Sequence, residues 1–427
     1  MRLTIINQFY VPDISPTAHL CASLAEHRAG HGDSVTVVTS RGGYVAPSRE
    51  QRREDRRANP RVIRVWTPQL GKKRKLFRII DYAFFYLFAA LRVLFLPRQD
   101  VIVSLTTPPM IAWAGVLHRM VRRGTKLVLW NMDCYPEVAE RTGVIRYGGV
   151  ASRLMRWANR RLFRRIDHLI CLDTAMVELL MGAYAPKGRT LPVTVLPNWE
   201  KADLFPDGAD PGRWERTDAL GLDGRFVVLY LGNTGYGHRF ETVMDAAESL
   251  RDEPVTFVFV GGGSRWDEIE QAVAERNLDN VIMHGYVPKE QTPAVMAAAD
   301  CALITLRDES LGVMSPSKLH SNLAMRLPVI YIGPAKSNVD DAIQEYECGV
   351  SVRHGDVDGV VSFIQEMMRD DQQRRSLQTN AREAFDLGYC DVRTLPRFDE
   401  VLGGLHEATQ VGGAVARATS GSSTADG

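Results

Sequence analysis

Short apolar runs alternate with longer amphipathic stretches along nearly the whole chain. Runs of four to six residues at Leu3–Ile6, Ser34–Thr39, Val62–Trp66, Val101–Leu105, Leu127–Trp130, His168–Leu172 and Val193–Leu196 read as buried strands. Helical spacing fills most of the intervals, for example Thr17–His31, Pro109–Arg123 and Ala151–Ile166. The pattern then restarts with Val227–Leu231, Thr256–Val260, Val281–His284, Cys301–Thr305, Val329–Ile332 and Gly349–Val352. Strand and helix in strict alternation predict an α/β fold of two Rossmann-like, doubly wound domains facing each other across a cleft. Such sheets bind ligands outside the carboxyl ends of their strands. Pro197-Asn198-Trp199 and the loop-rich stretch to Asp223 mark the boundary, giving domains 1–198 and 199–393. The small and polar residues 411–427, VGGAVARATSGSSTADG, predict a disordered tail.

Composition excludes several classes. With 427 residues, 45% hydrophobic and 24% charged, the chain has material for sizeable cores and is neither disordered, collagenous nor a disulfide scaffold. The cysteines at 21, 134, 171, 301, 348 and 390 form no C-x-x-C pair, so they predict reduced thiols in a cytoplasmic protein, not a zinc site.

Charge changes the picture more. The net charge of +1 hides 31 Lys/Arg against 14 Asp/Glu up to Asn198, and 21 against 37 from Trp199 onward. Between Arg49 and Arg78 there are 12 basic residues and 3 acids, with Lys72-Lys73-Arg74-Lys75 directly before the apolar segment Leu76–Pro97. The longest charge-free run there, Tyr82–Leu91, has ten residues, about half of the roughly 20 a spanning helix needs. From Arg141 to Arg165 eight arginines occur without an acid, interleaved with Leu154, Trp157, Leu162 and Phe163. Basic clusters beside apolar helices predict monotopic attachment to an anionic membrane surface. No helix-turn-helix or RNA-binding signature accompanies them, so nucleic acid is not an expected partner. The amino terminus lacks the basic start of a signal peptide.

Three places carry candidate chemistry. Strand Val227–Leu231 runs into Gly232-Asn233-Thr234-Gly235-Tyr236-Gly237-His238-Arg239, with a helix from about Phe240. Glycine N–H groups and a helix start suit a phosphate, and His238 and Arg239 would add charge. The loop is neither G-x-G-x-x-G nor a P-loop. Gly261-Gly262-Gly263 repeats the arrangement after the next strand, and Gly262 is placed on the cleft wall. Finally, Ser315-Pro316-Ser317-Lys318-Leu319-His320 puts a lysine in a first helical turn, the wrong sign for the helix dipole. An anion in front of Lys318 explains it better than helix stability does.

The series GNTGYG, FVFVGGG, SPSKLHSNLAMRLPVIYIGP and CGVSVRHGD resembles the donor domain of glycosyltransferase family 4, GT-B fold. NQFYVPDISPTAHLCASLAEHRAGHGDSVTVVTS, Asp133-Cys134-Tyr135-Pro136-Glu137 and LPNWEKADLF are similar to the exopolysaccharide and O-antigen group of that family. The resemblance implies a retaining hexosyl- or N-acetylhexosaminyltransferase working at the inner face of the cell membrane. Its second domain would hold a UDP or GDP sugar and its first a lipid-linked acceptor, with no metal and no further cofactor. A last helix at 394–408 would cross back onto the first domain. The Gly232–Gly237 loop, Arg239, Ser317 and Lys318 would meet the leaving diphosphate, and Ser315 would belong to the donor-binding site. Asp133 would stand near the reacting carbon, unless it only caps a helix. The family's E-x7-E is missing, with Ser321 at its second Glu and Val313 at its first. Asn233 and His238 occupy positions where many members carry Arg and Lys. These departures leave a second reading, a degenerate GT-B protein serving as a non-catalytic scaffold.

Overall fold

The computed structural model describes the chain except residues 43–47, 49, 50, 52, 53, 56, 69–74, 209 and 422–427, and except the side chains of 75, 76, 78 and 409–421. Lys72, Lys73, Arg74 and part of the basic stretch after Arg49 therefore lie outside the described residues.

The apolar runs become strands because Val- and Ile-rich segments bury both faces between helical layers. β1 (Arg2–Ile6), β2 (Ser34–Ser40), β3 (Arg61–Val65), β4 (Val101–Leu105), β5 (Lys126–Trp130), β6 (His168–Cys171) and β7 (Val193–Val195) form a sheet in the order β3-β2-β1-β4-β5-β6-β7. β8 (Phe226–Asn233), β9 (Val255–Gly262), β10 (Val281–His284), β11 (Cys301–Thr305), β12 (Val329–Ile332) and β13 (Gly349–Val352) form the second, β10-β9-β8-β11-β12-β13. All these pairings are parallel. In each sheet the order turns back at the first strand, β1 or β8, which opens a crevice at that strand's carboxyl end. Right-handed crossovers put the helix Pro16–Gly30 on one face of the first sheet and the helices Lys75–Leu94, Trp113–Val121 and Val150–Phe163 on the other.

The chain passes between the domains twice, and the two passages are bonded to each other. Glu200 N donates to Tyr389 O (3.1 Å), and Asp391 N donates to Glu200 O (3.0 Å). Asp391 Oδ1 also accepts from Ala202 N at 3.0 Å. Beyond this crossing the helix Asp391–Gly421 returns to the first domain and buries Leu395, Phe398 and Leu402 in its core. Trp199 and Trp130 stack with ring centroids 5.6 Å apart, and Phe398 meets both edge-on at 5.5 and 4.8 Å. Trp199 thus belongs to the first core, one residue beyond the expected boundary, because its indole is held by that stack and donates to Ser23 Oγ at 3.1 Å.

The last helix runs into the segment expected to be a tail. It starts at Asp391 and its backbone stays helical to Gly421, through residues read as disordered from their small side chains.

The segment Leu76–Pro97 is helical to Leu94 and buries only one side of that helix. Phe85, Ala89 and Val93 lie in the first core, while Ile79, Leu87 and Leu91 are exposed. No described helix is long and apolar enough to cross a membrane.

Phe398→Ala should destabilise the first domain by about 3–5 kcal/mol, since it leaves a cavity beside two tryptophans. Denaturant unfolding followed by tryptophan fluorescence measures this, and an unchanged midpoint would remove the stack from the account.

Candidate functional site: a lysine without a counterion between glycine loops

β8 and β9 run in register to their last residues, with Gly232 opposite Gly261 and Asn233 opposite Gly262. This close pairing is what demands the glycines. A Cβ at Gly261 (φ +143°) would lie 2.2 Å from Gly232 O, and one at Gly263 (φ +150°) 2.4 Å from Asn233 Oδ1. The two glycine clusters therefore form one double loop at the edge of the cleft. Thr234 N donates to Gly262 O at 2.8 Å and Arg265 N to Thr234 O at 3.0 Å. Gly235 and Gly237 shape the turn that follows, where His238 N reaches Gly235 O at 3.1 Å.

Lys318 enters this double loop from the first turn of the helix Lys318–Ala324. Its Nζ donates to Asn233 O and to His238 Nε2, both at 3.3 Å, and lies 4.8 Å from the centre of the Tyr230 ring. All three partners are neutral. Burial without a carboxylate pulls the ammonium down to about 7 from the ordinary lysine value.

His238 plays a different part from the one expected. Its Nδ1 donates to Thr305 O at 2.6 Å, which leaves Nε2 as the acceptor for Lys318. Burial first, and then the Lys318 charge, lower its pKa to about 3, so it stays neutral and aims the lysine instead of adding charge. Arg239 follows it in the chain. It is exposed and its Nε pairs with Glu241 Oε2 at 3.3 Å, while Glu241 caps its own helix through Phe240 N at 3.1 Å.

The serines divide. Ser317 is exposed at the helix start. Ser315 hydrogen-bonds across to Asp173 of the first domain, and Ser321 turns its hydroxyl back to Lys318 O at 3.3 Å. Gly262 is backed by Tyr286, whose hydroxyl donates to Gly262 O at 3.2 Å.

Arg265 escaped the sequence reading. It follows Gly263-Ser264, its backbone joins the double loop, and its Nη1 holds Glu268 Oε2 at 2.7 Å. Its Nε and the Thr234 hydroxyl are buried with no partner among the described residues. Unpaired polar atoms beside a buried lysine leave bonding that a ligand can complete. The signal available in the sequence was an arginine two residues after a glycine cluster that ends a strand.

From the other side, Asp133 follows β5 and lines a small cavity with Thr106, Met110, Tyr135 and Asn159. Burial raises its carboxyl to about 6. It does not cap a helix: the helix Glu137–Arg141 has Pro136 at its N-cap, without a side-chain cap. The segment between Arg307 and Lys318 docks on this part of the first domain. Cys134 N donates to Val313 O at 3.0 Å, and Arg141 Nη1 to Glu309 O and Leu311 O at 2.6 and 3.0 Å. The lysine loop and the Asp133 segment are thus adjacent across the cleft.

Comparison with known proteins settles the class. Residues 213–384 match the family described as glycosyl transferases group 1, and residues 17–199 match the glycosyl transferase 4-like domain. This chain is a glycosyltransferase of GT-B fold. It is 25% identical to the probable glycosyltransferase WbjE of Pseudomonas aeruginosa, over 78% of this chain and 81% of that protein. It is 23% identical to the putative colanic acid biosynthesis glycosyl transferase WcaI of Escherichia coli, over 86% and 92%. The fold is that of HepE from Anabaena, solved in complex with UDP, with a TM-score of 0.68 at 15% identity, covering 95% of this chain and all of HepE. The transferase reading is favoured over a non-catalytic scaffold.

The transferase should take up a proton when a nucleoside diphosphate binds above pH 7, because the anion restores the charge that burial removes from Lys318. Calorimetry in buffers of different ionisation enthalpy reads this uptake, and its absence would place the diphosphate elsewhere. Between about pH 7 and the ordinary lysine range, the unfolded chain holds a proton that the folded one sheds. Lys318 therefore makes stability rise with pH across that window. Lys318→Met should flatten the rise and match or exceed wild-type stability at pH 7, as unfolding at several pH values will show.

Proposed function

We propose that this transferase moves a hexosyl or N-acetylhexosaminyl group, with retention, from a UDP sugar to a lipid-linked saccharide during cell-surface polysaccharide synthesis. The observation that carries the reading is Lys318, an ammonium held among neutral partners at the junction of the glycine loops. The bond from the anomeric carbon to the diphosphate breaks as the acceptor hydroxyl oxygen bonds to that carbon on the same face, and the hydroxyl proton passes to the departing phosphate. Lys318 and Arg265, with the loop N–H groups, stabilise the charge that develops on the diphosphate. Asp133 stands near the reacting carbon and offsets positive charge there when ionised. A preorganised cationic cradle of this kind needs no metal for the transfer step. The UDP assignment draws on HepE, which has also been solved with UDP-glucose, and the polysaccharide role on the name of WcaI.

The acceptor side draws on one surface. On the layer formed by three helices of the first domain, Ile79, Leu87, Leu91, Leu117, Met120, Val150, Leu154 and Trp157 are all exposed. Arg92, Arg98, Arg122, Arg123 and Arg153 stand exposed around them, and Arg161 covers the Trp157 ring at 4.7 Å. An apolar face with a cationic rim suits attachment to an anionic bilayer, each basic residue near the surface contributing about 1 kcal/mol.

Purified enzyme given UDP-hexoses and a lipid-linked saccharide should form product. Lys318→Ala should slow transfer roughly 30- to 1,000-fold, the effect of losing about 2–4 kcal/mol of transition-state stabilisation. Wild-type turnover in that variant would remove the leaving-group role. Vesicle sedimentation should show binding to anionic bilayers that weakens with salt, and equal binding to neutral vesicles would contradict the electrostatic part.

A further inference from the structure

Away from the cleft, two histidines and a carboxylate converge where the last helix lies on the first. His27 and His31 stand one turn apart at the end of the helix Pro16–Gly30, with ring centroids 4.3 Å apart. Asp399 comes from the helix Asp391–Gly421, and one ligand atom from each of the three residues falls within 4.8 Å of the others. We propose that His27, His31 and Asp399 form a binding site for a divalent transition-metal ion, zinc being the best match, that clamps the returning helix to the first domain.

The donor set fits the metal. Two imidazoles and one carboxylate are borderline ligands suited to zinc, which takes them at about 2.0–2.2 Å. Ligands on a tetrahedral zinc sit roughly 3.4 Å apart, so small side-chain rotations close the cluster. Supporting bonds are already in place. His31 Nδ1 lies 2.8 Å from His27 O, so the proton sits on Nδ1 and Nε2 keeps its lone pair. A ligating histidine is commonly oriented by this kind of bond to a backbone carbonyl. Asp399 Oδ1 accepts from Arg28 Nη1 at 2.6 Å, which orients the carboxylate and leaves Oδ2 facing His27 Nε2 at 2.8 Å. The Arg28 charge is itself shared with Asp33, held from Nε at 2.7 Å. Binding displaces the proton between His27 and Asp399 to solvent, so affinity rises with pH.

A plain ion pair of His27 with Asp399 would need nothing from His31, and this separates the two accounts. Full-length protein stripped with chelator should bind one equivalent of zinc, and cobalt in its place should give the intense visible bands of a tetrahedral site. Zinc should raise the unfolding temperature and slow amide exchange in residues 391–405. His31→Gln changes an exposed residue and keeps the His27–Asp399 pair, so its metal-free unfolding should match wild type while zinc affinity falls at least tenfold. Asp399→Asn should lose the cobalt bands as well. Equal zinc affinity in wild type and His31→Gln, or no stoichiometric binding by wild type, would overturn the site.

Discussion

Everything in this molecule depends on the chain's having to cross between its two sheets twice at one place. The passages at Glu200 and Tyr389–Asp391 share backbone hydrogen bonds, and the Trp130–Trp199–Phe398 stack anchors both on the first domain. The carboxyl ends of β1 and β8, where the strand orders turn back, then face a common cleft. Segments more than a hundred positions apart, Cys134–Arg141 and Glu309–Val313, meet across that cleft.

The site is built on a tension between stability and function. Placing an ammonium among a carbonyl, an imidazole lone pair and an aromatic ring costs the folded protein free energy that a carboxylate partner would have offset. In the transfer reaction proposed above, the diphosphate of the donor takes that place. His238 contributes because it is neutral: a proton on Nε2 would repel Lys318 and close the acceptor that orients it. Asp133 repeats the logic with opposite sign, its burial holding the carboxyl near the point of ionisation.

The fold was legible because parallel strands buried on both faces leave continuous apolar runs, and each such run from Leu3–Ile6 to Gly349–Val352 became a strand. The glycine loops and Lys318 were legible because they break local rules: glycines end strands, and a lysine starts a helix. The roles of the flanking residues were not. Whether Arg239 meets a phosphate or its own helix's Glu241, and whether Ser315 turns to the donor loop or to Asp173, is decided by contacts that no local pattern encodes. Arg265 went unnoticed because a single arginine after glycines carries no spacing.

The double crossing also separates covalent continuity from physical attachment. Were the backbone cut once between Asp207 and Arg213, the fragment carrying the donor sheet would still end in the helix that buries Leu395, Phe398 and Leu402 in the other domain. The two pieces would share a core and stay one particle. In this architecture the loop between the domains is a convenience of synthesis, and the returning helix is the tether.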